Sequence, residues 1–210
     1  MLLSVPYFIS FVYKTILKED DMIDEILSFN KEFVARKGYL EHRADKYPKK
    51  KLAILTCMDT RLTTLLPAAL GLKNGDAKII KNAGGLVMHP FDSAMRSLLI
   101  GVYELGVEHI MVIAHSDCGA CCLNGKEMIE QMFKNGISSE TIETVEHCGV
   151  DLEQWLEGFH DTEKTVKETV NVIRRHPLLP ARVDVSGYII NSATGELIPV
   201  DTDELFNIYL

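Results

Sequence analysis

The residues of this chain best suited to chemistry fall in two short runs, C-M-D-T-R at 57–61 and H-S-D-C-G at 115–119. Each follows an apolar stretch, KLAILT before Cys57 and HIMVIA before His115. Short apolar runs bounded by polar residues read as buried strands, so each motif falls where a strand ends. In open α/β sheets, ligands bind beyond the carboxyl ends of strands, where strand order reverses. Cys57, His115 and Cys118, brought to neighbouring strand tips, supply two thiolates and one neutral imidazole, a donor set for Zn²⁺. Three protein ligands and one open position form the pattern of a catalytic zinc. The metal lowers the pKa of a water in that position to about 7, giving hydroxide at neutral pH. A helix is expected to start soon after Cys118, and its free amides would favour the thiolate. Taken singly, each of the three reads better as a buried thiol or a satisfied histidine. Together, with Asp and Arg interleaved, they read as a site.

Asp59 and Arg61 belong to the same argument. In C-x-D-x-R, alternate residues share one side of an extended turn, so ligand, carboxylate and guanidinium converge. Arg61 can clamp Asp59 in a bidentate pair that keeps it ionised and oriented. Asp59 can then accept the hydrogen of a metal-activated hydroxide, or instead ligate the metal and close the site. An ordinary salt bridge stabilising the turn is the plainer alternative. N-A-G-G at 82–85 follows a further short apolar run. Its glycines serve either a tight turn or close backbone approach to a ligand, with equal weight.

The elements that must carry these motifs are legible from periodicity. Residues 22–37 form a helix with Ile23, Ile26, Leu27, Phe29, Phe33 and Val34 mainly on one stripe, and Gly38 as its stop. A strand over 51–56 leads to Cys57, and a short helix over 62–70 is broken by Pro67. A second strand covers 76–81, and a helix from Asp92 to Leu105 closes at Gly106. A third strand at 108–114 delivers His115. Helices follow over 119–135, 138–147 and 151–175, the last with a break near Gly158. Strands at 183–190 and 196–200 are joined by a hairpin about Asn191–Gly195. The alternation predicts an α/β fold: a mostly parallel central sheet of about four strands plus a C-terminal strand, flanked by helices. The expected division is an apolar N-terminal arm over 1–21 and one α/β domain over 22–210.

Composition bounds the partners. The 210 residues carry a net charge of −8, which makes nucleic acid and anionic membrane poor partners. Five cysteines, two of them adjacent, fit a reducing compartment better than a disulfide scaffold, so a cytoplasmic location is expected. The N-terminal stretch MLLSVPYFISFVYKTIL lacks a positive start and contains Pro6, which argues for a packing or oligomer arm, or for an extension upstream of an alternative start at Met22, over a membrane anchor. Cys121 and Cys122 are expected to be packing thiols with some oxidative sensitivity, and His147 and Cys148 to sit at a helix end. His89 is a surface histidine near the motifs, with no assigned role.

C-M-D-T-R, then K-N-A-G-G, then H-S-D-C-G, in this order, resembles the β-class carbonic anhydrases, sharpest at the two metal motifs and compact like the short prokaryote-type members. The resemblance implies one Zn²⁺ per chain on Cys57, His115 and Cys118, with Asp59 and Arg61 as the orienting dyad. It implies backbone from Gly84 or Gly85 near a substrate pocket; Leu86 and Val87 are candidates for the apolar wall of that pocket. The implied reaction is reversible hydration of CO₂ to bicarbonate and a proton through zinc-bound hydroxide, in a homodimer or homotetramer. Relatives that hydrolyse carbonyl sulfide or carbon disulfide share the scaffold, and a zinc-binding protein without catalysis is a second alternative. A thiol redox protein using Cys118 and Cys121 ranks last.

Overall fold

The computed structural model describes the backbone of residues 7–202 and the side chains of residues 21–202. The chain divides into two compact units, Met1–Ala44 and Asp45–Leu210. Of the arm expected over 1–21, residues 1–6 lie outside the described residues, and from Tyr7 the chain is already helical.

The first unit is helix α1, Tyr7–Ala35, followed by a 3₁₀ turn over Gly38–His42. The helix therefore begins well before the expected start at 22. Its left-handed stop is Lys37, at φ 58°, rather than Gly38. Gly38 is instead covered by the Phe33 ring, which leaves no space for a Cβ. Within the single chain Ile23, Ile26, Leu27, Phe29 and Val34 are exposed.

The second unit is built on five strands: β1 (Leu52–Cys57), β2 (Ala77–Asn82), β3 (His109–His115), β4 (Asp184–Ile190) and β5 (Leu197–Val200). Their order is β2-β1-β3-β4-β5. The first four are parallel and β5 runs antiparallel to β4, as the alternation predicted. Central strands of a parallel sheet are covered on both faces and so read as continuous apolar runs. In β1 every residue from Ala53 to Cys57 is buried. One face packs Ala53, Leu55, Ile110 and Val112 with Met95, Leu98, Val166 and Val170. The other packs Ile54 and Ile113 with Leu62, Leu66 and Ile190. Each large aliphatic side chain so buried contributes roughly 1.5–3 kcal/mol.

The helices are α2 (Leu62–Ala69), α3 (Ser93–Leu105), α4 (Gly125–Lys134), α5 (Ser139–His147), α6 (Leu152–Leu156) and α7 (Thr162–Arg174). Helix α3 is bounded as its sequence predicts. Asp92 accepts from the Met95 amide at 2.8 Å, and Gly106 closes the helix in the left-handed region at φ 71°. Pro67 does not break α2, which runs on to Ala69. It stands so near the end that its ring and missing N–H disturb little of the ladder.

The expectation that fails most is the helix over 119–135. Residues 119–124 are turn and bridge, and α4 starts only at Gly125. Left-handed backbone at Asp117 (φ 53°) and Cys122 (φ 65°) turns this segment against 158–159 instead. The Cys122 amide donates to the Phe159 carbonyl at 2.8 Å, and the Gly158 amide to Leu123 at 3.0 Å. The break near Gly158 is accordingly a full loop between α6 and α7, its glycine packed where a Cβ would strike the Ala120 carbonyl.

Candidate metal centre

Cys57 is the last residue of β1 and His115 the last of β3, and these strands are parallel neighbours with Thr56 opposite Ile113. The sheet thus places both motifs side by side at its carboxyl end. Cys118 returns to them through the left-handed turn at Asp117, which brings its Sγ to 3.7 Å from that of Cys57. One ligand atom from each of Cys57, His115 and Cys118 lies within 4.8 Å of the others, and all three residues are buried.

His115 is fully buried, and its Nε2 has no hydrogen-bond partner. The other ring nitrogen, Nδ1, lies 2.8 Å from the Ser116 carbonyl. A carbonyl only accepts, so Nδ1 carries the proton and Nε2 presents its lone pair to the two sulfurs. A buried, unsatisfied ring nitrogen costs stability unless something fills the gap. A histidine oriented through its second nitrogen is the usual arrangement of a metal ligand. The donor set and the orphaned nitrogen fit a zinc-like ion.

The electrostatics of the group agree. Burial pushes the Cys57 thiol up. The His115 ring, the backbone amides of Asp59 and Gly84 and the Cys118 thiol outweigh it and bring the pKa down to about 7. Burial pushes Cys118 up to about 11, despite favourable amides of Ala120 and Cys121 and with the Cys57 sulfur adding to the rise. Two sulfurs so close resist carrying two negative charges, and a divalent cation between them removes that resistance. The amides that reach Cys118 come from a turn and not from the helix start expected there.

Asp59 and Arg61 form the bidentate pair. Arg61 Nε donates to Asp59 Oδ1 at 3.0 Å and Nη2 to Oδ2 at 2.8 Å, and the Arg61 amide reaches Oδ1 at 2.9 Å. These hydrogen bonds hold the Asp59 carboxyl well below the usual carboxylate range. Asp59 Oδ2 stands 3.8 Å from His115 Nε2, so the carboxylate borders the space between the ligand atoms. Arg61 also donates to the Asp117 carbonyl at 2.9 Å and to Ser192 Oγ at 3.2 Å. It therefore ties both motifs to the start of the β4–β5 hairpin. Ser116 and Ser192 complete this link, the Ser192 amide donating to Ser116 Oγ at 3.1 Å. Neither serine was legible as a site residue, because their partners are 76 positions apart.

Gly84 and Gly85 both have positive φ, at 83° and 70°. A Cβ on Gly85 would lie 2.6 Å from the Cys57 nitrogen, so its close approach is to the end of β1. Gly84 turns its amide to the Cys57 sulfur. Asn82 pins the loop, its side chain exchanging two hydrogen bonds with the backbone of Leu86. Leu86 and Val87 both border a cavity of about 640 Å³ with Ala83, Ala120, Trp155 and Phe159. Val87 is also a core residue, 6% exposed, packed with Ala94 and Met95. His89 lines a separate recess with Asp92 and Trp155. Cys148 caps α5, and His147 Nδ1 donates to the Glu143 carbonyl at 2.6 Å, so both are helix-end residues. Cys121 packs against the core, whereas Cys122 is exposed and is not the packing thiol expected.

Comparison with known proteins converges on one family. Residues 52–197 match the family model described as carbonic anhydrase. The Bacillus subtilis (strain 168) protein YtiB, whose carbonic anhydrase name is itself provisional, is 49% identical over 84% of this chain and 94% of its own length. The β-carbonic anhydrase isoform I of Trichomonas vaginalis superposes with a TM-score of 0.77 at 34% identity, covering 85% of this chain and 96% of that one. A carbon disulfide hydrolase of Acidithiobacillus thiooxidans is 31% identical over 71% of this chain and 77% of its own.

Proposed function

This chain belongs to the β-carbonic anhydrase family, and on that footing we propose that it catalyses the reversible hydration of CO₂ to bicarbonate and a proton. The observation that carries the reading is the buried Cys57, His115 and Cys118 group with an ionised, clamped Asp59 at its edge. Cys57 and Cys118, as thiolates, and His115, through Nε2, would hold a zinc ion. The ion would supply Lewis acidity that makes water nucleophilic near neutral pH.

The chain's own residues do the rest. Arg61 takes both Asp59 oxygens and keeps the carboxylate charged and fixed in direction. Asp59 accepts the hydrogen of the attacking water species, which aims an oxygen lone pair at the carbon of CO₂. Ser192 and the Asp117 carbonyl hold Arg61, so the dyad does not have to be ordered during each turnover. Leu86, with Ala120 and Phe159, offers an apolar wall for a substrate without a strong hydrogen-bonding group. Gly84 steadies the Cys57 thiolate through its amide. The protein works as a homodimer or homotetramer in the cytoplasm; the exposed apolar residues of α1 and the free thiols support that placement.

Stopped-flow hydration between about pH 7 and 9, on protein of verified zinc content, tests the reading. Rapid hydration that rises with pH is expected. One relative, 31% identical, is named a carbon disulfide hydrolase. Turnover of carbonyl sulfide or carbon disulfide exceeding that of CO₂ on the same preparation would overturn the substrate assignment. Full zinc with no turnover of any of them would leave a zinc protein without catalysis.

A further inference from the structure

Cys121 and Cys122 take no part in the chemistry proposed above, yet their side chains are held together. Successive residues of an extended chain point to opposite sides. Here the left-handed backbone at Cys122, φ 65°, turns the second side chain back, and the two sulfurs lie 3.5 Å apart. Cys121 is partly buried and Cys122 exposed, so the pair is open to solvent on one side. The backbone beneath it is fixed from both directions. The Cys121 amide donates to Cys118 at 3.0 Å, the Cys122 amide to Phe159 at 2.8 Å, and the Phe159 amide to Ala120 at 3.3 Å.

Two sulfurs held in this way can pair with each other or share a third atom. A disulfide between adjacent residues has Cα atoms only about 3.8 Å apart, short of the roughly 4.4–6.8 Å that unstrained bridges adopt. A zinc-type site needs further ligands. Among the described residues the group of three or more candidate ligands is Cys57, His115 and Cys118, to which this pair does not belong. What remains is an electrophile that needs two sulfurs and nothing else. We infer that Cys121 and Cys122 form a dithiol site for trivalent arsenic carrying one organic substituent. In the reaction with an arsenoso compound both S–H bonds and the As=O bond break and two S–As bonds form. The two protons leave with the oxygen as water, and arsenic stays trivalent.

Phenylarsine oxide added to the zinc-loaded enzyme tests this. Intact-mass analysis should show one adduct per chain, equal to the reagent less one water, with the zinc retained. Peptide mapping should place it on the segment containing Cys121 and Cys122. Release by 2,3-dimercaptopropanol and not by an equal concentration of a monothiol is expected. Loss of the second sulfur in C122S or C121S should weaken uptake by about 10²-fold or more, because the second bond no longer forms intramolecularly. C148S should leave it unchanged. Undiminished uptake in both C122S and C121S, absence of uptake by the unmutated enzyme, or uptake that expels zinc one for one would overturn the assignment. The last result would show Cys57 and Cys118 to be the acceptors. Mapping on the unmutated protein decides the matter even if a variant folds poorly.

Discussion

At the scale of single residues, the site turns on one ring nitrogen and one carboxylate. His115 Nε2 is buried without a partner, and Asp59 is held ionised 3.8 Å away. Asp59→Asn keeps the shape of the side chain and removes its charge and one acceptor. The expected outcome is a fall in kcat of about 10²–10⁴-fold at unchanged zinc content, read by stopped-flow hydration alongside metal analysis. The same variant has a stability signature. A carboxylate whose folded pKa is depressed contributes stability above its unfolded pKa, about 3.9, and loses it as pH falls through the folded value. In the zinc-free protein, the difference in denaturation midpoint between the unmutated chain and Asp59→Asn should persist at about pH 5 and shrink only below about pH 4. A difference that failed to shrink there would contradict the Arg61 clamp.

At the scale of elements, the decisive contact is between the 82–85 loop and the end of β1. Gly85 sits at φ 70° with the Cys57 nitrogen 2.6 Å and the Thr56 carbonyl carbon 2.7 Å from where a Cβ would stand. Both neighbours are backbone and cannot swing aside. Gly85→Ala is therefore expected to destabilise the protein by about 1–3 kcal/mol. It should also lower zinc affinity, because the β1 tip that carries Cys57 must move. Thermal melting with and without added zinc, and a competition titration against a chelator, measure the two effects. Gly106→Ala, also at positive φ but with open space around it, is the control. It should cost stability and spare zinc affinity.

At the scale of the whole molecule, residues 45–210 form a compact unit that contains the entire candidate site, and the family match begins at residue 52. No helix among the described residues is long and apolar enough to cross a membrane. Helix α1 carries an apolar stripe that the single chain leaves exposed, larger than isolated surface hydrophobes require. Deletion of residues 1–44 is expected to lower the number of chains per particle, taken from light scattering as particle mass over chain mass, while zinc binding by the remaining unit persists. An unchanged number of chains would remove α1 from the interface.

The strand–helix rhythm, the parallel sheet and the metal-capable trio were legible in the sequence. Two apolar runs ending in Cys57 and His115 mark buried strands whose carboxyl tips carry the polar groups; that β1 and β3 are direct neighbours is seen in the sheet order. Periodicity also located α3 and its stop at Gly106, while the role of Asp92 as the cap that accepts from Met95 came from the structure. The sequence could not show that residues 119–124 abandon the helix. That choice depends on hydrogen bonds to Gly158 and Phe159, which lie far along the chain and carry no local signal. The roles of Ser116 and Ser192 and the pairing of Cys121 with Cys122 are tertiary decisions of the same kind. Local patterning determines what each segment buries and which end carries its polar groups. Which distant backbone satisfies a turn, and therefore where a side chain after that turn points, is decided only when the elements have packed.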